Sequence, residues 1–173
     1  MIRARALVFL ILIACAASPL FAAADDATPS GPATRAAAAL ALEGKLKHPQ
    51  SLDLAALHRL PADQVQVSFE SERGTTTASY TGVRLWEVLA TAGGIDDDEK
   101  GAEIRHVIKI TGRDGYVVVL STGEIAPDFG GKPALIAYRR DDEPLGEAGL
   151  RLVMPGDKRG DRNVRDIVAI RID

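Results

Sequence analysis

The sequence holds one cysteine, Cys15, in 173 residues. A single thiol makes no internal disulfide and no cysteine-rich zinc site. Aromatic residues make up only 5% of the chain, which argues against the stacking platforms that hold single-stranded nucleic acid. Excess charge of one sign is lacking as well. The formal net charge of −3 gives no electrostatic footprint for a phosphate backbone, so nucleic acid is not expected as a partner. The N-terminal apolar run, Ala6–Ala17, is too short to anchor across a bilayer. There is no serine-hydrolase elbow and no glycine-rich dinucleotide fingerprint. There is no Walker loop either: Gly130-Gly131-Lys132-Pro133 has the wrong spacing and puts Pro133 in the Ser/Thr place. What is present is an ordinary globular mix, 46% apolar and 26% charged, long enough for one domain.

The N-terminus reads as an address. Arg3 and Arg5 precede the apolar run, Ser18 and Pro19 break it, and Ala22-Ala23-Ala24 fits a small-residue cleavage site. Residues 1–24 are therefore expected to be a Sec-type signal peptide cut after Ala24, sending the protein to the periplasm. Leu12-Ile13-Ala14-Cys15 offers a rival reading, a lipoprotein anchored through Cys15. Arg3-Ala4-Arg5 is not the twin-arginine pair of a path that carries folded, cofactor-loaded proteins. Cleavage after Ala24 removes the only cysteine and takes the net charge to −5. Residues 25–38, rich in Ala, Thr, Pro and Ser, read as a flexible leader. The remaining chain, 39–173, is read as one domain.

Its pattern is that of many short strands with a few helices. Leu40–Leu46 is a candidate first strand. Ser51-Leu52-Asp53 then starts a helix through Leu54, Leu57 and His58. Val65, Val67 and Phe69 alternate with polar residues as a half-buried strand, and Ser71–Gly74 turns into a second at Thr75–Tyr80. Leu85, Val88, Leu89 and Ala92 have helical spacing within Val83–Ala92, with Gly93 as a cap. Ile104, His106, Ile108 and Ile110 share a strand face, and Gly112–Gly115 turns that strand into Tyr116–Leu120. Ser121 and Glu124 have capping-box spacing for a short helix. Further strands are Ala134–Tyr138, Leu150–Met154 and Ile167–Ile172. The fold class is α+β: a compact mixed β-sheet or barrel-like domain with short helices.

Few residues invite chemistry. The three histidines are scattered without metal-ligand spacing, and His106 suits a hydrogen-bonded core position. No metal ligand is assigned. Trp86 suits a core or semi-buried place on its helix. In the loop 155–163, Gly156 and Gly160 let backbone amides approach a ligand, and Lys158, Arg159 and Arg162 supply donors for an anion. The same loop also reads as a solvated turn in which Asp157 and Asp161 offset the charge. Ser71 ends a strand, but no base stands beside it in the sequence.

The order of segments resembles the molybdopterin-binding domain of the sulfite oxidase family, in a small exported bacterial form. The resemblance runs over Leu42-Glu43-Gly44, His48-Pro49, Val67–Glu70, Tyr80-Thr81-Gly82-Val83-Arg84-Leu85-Trp86, Gly112–Val117, Leu150–Gly156 and Arg162–Ile172. It implies the α+β fold above and a molybdenum–pterin cofactor. In catalytic members one cysteine thiolate ligates the metal at the end of the strand that resembles Val65–Glu70. Here that place falls to Ser71, or to Glu70 if the alignment slips by one. A hydroxyl replaces a thiolate poorly at such a metal, which counts against the family's redox chemistry. The late loop corresponds to a region that approaches the pterin and its phosphate, so Lys158, Arg159 and Arg162 become candidate cofactor contacts. Arg73 and Arg84 are further candidates.

The expectation is thus an exported protein that binds a pterin-type or other small anionic ligand. An active member would be a molybdopterin-dependent oxidoreductase. The alternative is a cofactor-free periplasmic binding or interaction module, or a partner subunit of a membrane redox protein.

Overall fold

The computed structural model describes residues 39–71, 74–146 and 149–173. The segment expected to be a signal peptide (1–24, with Cys15), the expected leader (25–38) and Arg73 lie outside the described residues.

The chain runs β1 (Leu40–Gly44), β2 (Gln50–Leu52), α1 (Leu54–His58), β3 (Asp63–Ser71), β4 (Gly74–Arg84), α2 (Leu85–Thr91) and α3 (Ala102–Arg105). It continues through β5 (Val107–Gly112), β6 (Val117–Ser121), α4 (Thr122–Ile125), β7 (Leu135–Arg140), β8 (Glu143–Pro144), β9 (Arg151–Val153) and β10 (Ile167–Ile172). The strands build two sheets. The first has the order β2-β1-β10-β5-β6, and only its β1–β10 pair is parallel. The second runs β3-β4-β7, with β8 and β9 both on the outer edge of β7. The α+β class expected from the sequence is the observed one.

One core joins the sheets. Leu40, Leu42, Ile108, Ile110, Ile170 and Ile172 of the first sheet share it with Val83, Ile136 and Leu152 of the second. Leu85, Val88 and Leu89 of α2 complete it, as their spacing requires. The second sheet also buries its other face, through Val67, Phe69, Ala78, Tyr80, Leu135, Ala137 and Val153. Alternate residues of β7 thus enter different cores, the period-two consequence of a strand buried on both sides. Gly82 is required where β4 meets β7, because a Cβ there would collide with the Ile136 carbonyl.

Several local expectations are corrected. Ser51 and Leu52 belong to β2, paired with β1, and the helix begins after Asp53. The Asp53 carboxylate caps α1 by accepting from the Ala56 N–H at 2.6 Å. Val83 and Arg84 are not helical: they pair with Ile136 and Leu135 in β7, so sheet hydrogen bonds hold them and α2 starts at Leu85. Ile104 is not on a strand. It lies in α3 after Gly101 at φ 81°, is 48% exposed, and β5 begins only at Val107. The helix α4 forms after Ser121, but without a side-chain cap from it.

Candidate functional site

Two regions of the second sheet bear on function, one at each end of the β3–β4 hairpin. The first is the turn end. Glu70 is exposed on β3, and Ser71 closes the strand with its backbone opposite Gly74. The late loop docks here through its main chain. The Glu70 N–H donates to the Lys158 carbonyl at 2.9 Å, and Arg159 bridges to Glu70 in parallel. Gly160 packs under Phe69; a Cβ there would lie 2.6 Å from the ring. The structure therefore brings Glu70, Lys158 and Arg159 together. Both cationic side chains are exposed, and neither makes an ion pair among the described residues.

Arg162 is placed differently. It ends a 3-10 turn, Gly160–Arg162, and its guanidinium grips Asp157 at 2.7 and 2.6 Å. A third nitrogen donates to Glu124 of α4 at 3.0 Å. Lys132 binds the same two carboxylates, at 2.8 Å to Asp157 and 3.4 Å to Glu124. Two cations and two carboxylates close on one another, so Arg162 is already neutralised from within the chain. The Arg162 hydrogen bonds, helped by Lys132, hold the Asp157 carboxyl below its usual range despite partial burial. Arg84 is likewise engaged, in an ion pair with Asp63 at the start of β3.

The second region, at the open end of the hairpin, was not singled out in the sequence. Tyr80 is 1% exposed, pairs with Val65 of β3 and Arg140 of β7, and its hydroxyl has no hydrogen-bond partner among the described residues. Arg151 of β9 lies over the Tyr80 ring, its guanidinium carbon 5.5 Å from the centroid, and Arg140 approaches at 6.0 Å. Arg151 is half-buried and its Nε is also without a partner. Burial pushes the guanidinium below its ordinary range, Tyr80 opposes that, and Arg165 and Arg140 add to it by repulsion. Leaving a charge dehydrated and unpaired costs several kcal/mol, roughly. A cation–π contact returns only about 0.5–2 kcal/mol. Arg140 has its own carboxylate, Asp141 at 3.2 Å, whereas Arg151 makes no ion pair among the described residues.

His106 is the core histidine its position suggests, 6% exposed, with Nε2 2.8 Å from the Asp97 carboxylate and Nδ1 3.1 Å from the Asp173 carbonyl. Among the described residues no group of three or more His, Cys, Asp or Glu is arranged to hold a metal ion.

The sequence profile of the family described as oxidoreductase molybdopterin binding domain matches residues 29–173. A crystal structure of the sulfane dehydrogenase SoxCD from Paracoccus pantotrophus is similar, with a TM-score of 0.63 and 20% identity. The match covers 78% of this chain and 37% of that one, so the chain spans little more than a third of the SoxCD chain it resembles. No curated protein sequence matches it. On the family match and the fold together, the chain belongs to the oxidoreductase molybdopterin-binding domain family.

Proposed function

We propose that this chain is an exported member of the family that holds a compact organic anion, of pterin or related type, through Arg151 and Tyr80, without a thiolate-ligated molybdenum centre. The carrying observation is the buried pair of unpartnered groups, the Arg151 Nε and the Tyr80 hydroxyl. Both donate hydrogen bonds, and Arg140 and Arg165 raise the positive potential around them. A phosphate or similar group supplies what they lack.

Arg151 and Tyr80 offer donors to an anionic group and no soft ligand to a metal. Residues 39–173 contain no cysteine. Glu70 and Ser71 stand at the far end of the hairpin, Ser71 six residue steps of β3 from Val65, which faces Tyr80. At strand rise that is about 20 Å. Export through a Sec-type signal agrees with a protein that needs no metal cofactor inserted before it leaves the cytoplasm.

A second reading has its own observation. The closed network of Arg162, Lys132, Asp157 and Glu124 turns the late loop into a structural element. This favours a cofactor-free binding module or a partner subunit of a redox protein. The test is the protein expressed with its own N-terminus in molybdate-fed cells and recovered by fractionation. The expected outcome is periplasmic protein with little molybdenum by mass spectrometry, and with pterin fluorescence or saturable binding of added phosphate. Near-stoichiometric molybdenum overturns the proposal. Absence of any bound or bindable anion leaves the second reading standing in its place.

A further inference from the structure

We propose that a cleft beside α2 is a separate binding site, made for a small organic ammonium ion. The cleft measures about 620 Å³ and shares no residue with either end of the β3–β4 hairpin. That size suits a small molecule.

Two aromatic side chains, Trp86 and Phe129, border it. Trp86 packs partly against the core, which fixes its indole, and still borders the cleft. Phe129 borders it too and is 53% exposed. The turn that carries Phe129 is tied down on both sides, by its own N–H to the Ala126 carbonyl at 3.0 Å and by the Gly130 N–H to the Gly123 carbonyl at 2.9 Å. A large aromatic surface is thus held in water beside a cleft. Gly94, at φ 79°, leaves open space where a side chain would stand.

The charge decides the ligand class. Asp97, Glu99 and Glu103 line the cleft against one cation, Lys47, which itself lies 4.0 Å from Asp98. Arg105 and His106 pair with Asp97, and Arg105 with Glu99. Glu103 is half-buried and makes no ion pair among the described residues. An anion would be repelled here. A neutral apolar ligand would dehydrate Glu103 without compensation. A quaternary or primary ammonium ion meets both requirements, its charge facing the carboxylates and its alkyl groups against the ring faces.

Trp86 is the only tryptophan, so its emission reports this site alone. The experiment titrates the protein with choline and, separately, with 3,3-dimethylbutanol, its neutral isostere. A saturable change with choline is expected, with the isostere weaker by about ten-fold or more. Glu103→Gln, which keeps the shape of a half-buried side chain, and Phe129→Ala, at an exposed position, should each weaken choline by roughly three- to ten-fold at unchanged melting temperature. No saturable response to choline, or an equal response to the isostere, overturns the proposal. So does unchanged choline affinity in the double variant.

Discussion

The Arg151 guanidinium carbon lies 5.5 Å from the centroid of the Tyr80 ring, and among the described residues neither the Arg151 Nε nor the Tyr80 hydroxyl has a hydrogen-bond partner. A half-buried guanidinium without a counter-ion among the described residues should gain from replacement by an apolar side chain of similar length. Arg151→Met is therefore expected to leave the ligand-free protein as stable as the parent, or more stable by up to about 3 kcal/mol. The same variant should lose the rise in melting temperature that phosphate gives the parent. Thermal melts with and without phosphate check both. A phosphate shift that survives the substitution would remove Arg151 from the site.

Asp157 is the opposite case, a carboxylate with two cations on it and a side chain only 14% exposed. Asp157→Asn keeps the shape and removes the charge, leaving Arg162 and Lys132 to share Glu124. The expected cost is roughly 1–3 kcal/mol by urea denaturation. Lys158→Ala and Arg159→Ala, at exposed positions, should each fall within about 0.5 kcal/mol of the parent. A neutral Asp157→Asn would show that the network is ornamental.

The same carboxylate sets a pH dependence. Its folded-state pKa lies below the usual 3.8, chiefly through the Arg162 hydrogen bonds. A depressed carboxylate contributes stability that is present above its unfolded value and lost as pH falls through the folded one. Unfolding free energy should decline from about pH 5 downward, and more steeply in the parent than in Asp157→Asn. Parallel curves for the two proteins would contradict the assignment.

Gly160 tests the docking of the late loop. An added methyl group would lie 2.6 Å from the Phe69 ring, and one side must yield. Gly160→Ala is expected to destabilise by about 1–3 kcal/mol and to increase hydrogen exchange at Glu70, whose N–H depends on that loop. Protection unchanged at Glu70 would mean the loop tolerates displacement.

Much of the fold is legible in the sequence because its markers are local. The turn from Gly112 to Gly115 and the alternation of Ile108 and Ile110 mark β5 and β6 without help. Boundaries depend on partners far away. Helical spacing at Leu85, Val88 and Leu89 does not say that Val83 and Arg84 are held by β7, some fifty residues on. The site is harder still. The loop 155–163 announces its cations, but the carboxylate that engages Arg162 from α4 is 38 residues away. Arg151 stands in the apolar run Leu150–Met154 as one charged residue, and nothing local tells that it has no partner. Only assembled burial separates an engaged arginine from a waiting one.

β10 lies between β1 and β5, at the centre of the first sheet, yet it is the last strand of the chain. During vectorial synthesis β1 and β5 emerge with a gap between them that only residues 167–172, made later, can fill. Until those residues appear, Leu42 and Ile110 have no Ile170 between them to close the core. The first sheet is thereby completed only by its last-made strand, after every other strand that the structure describes.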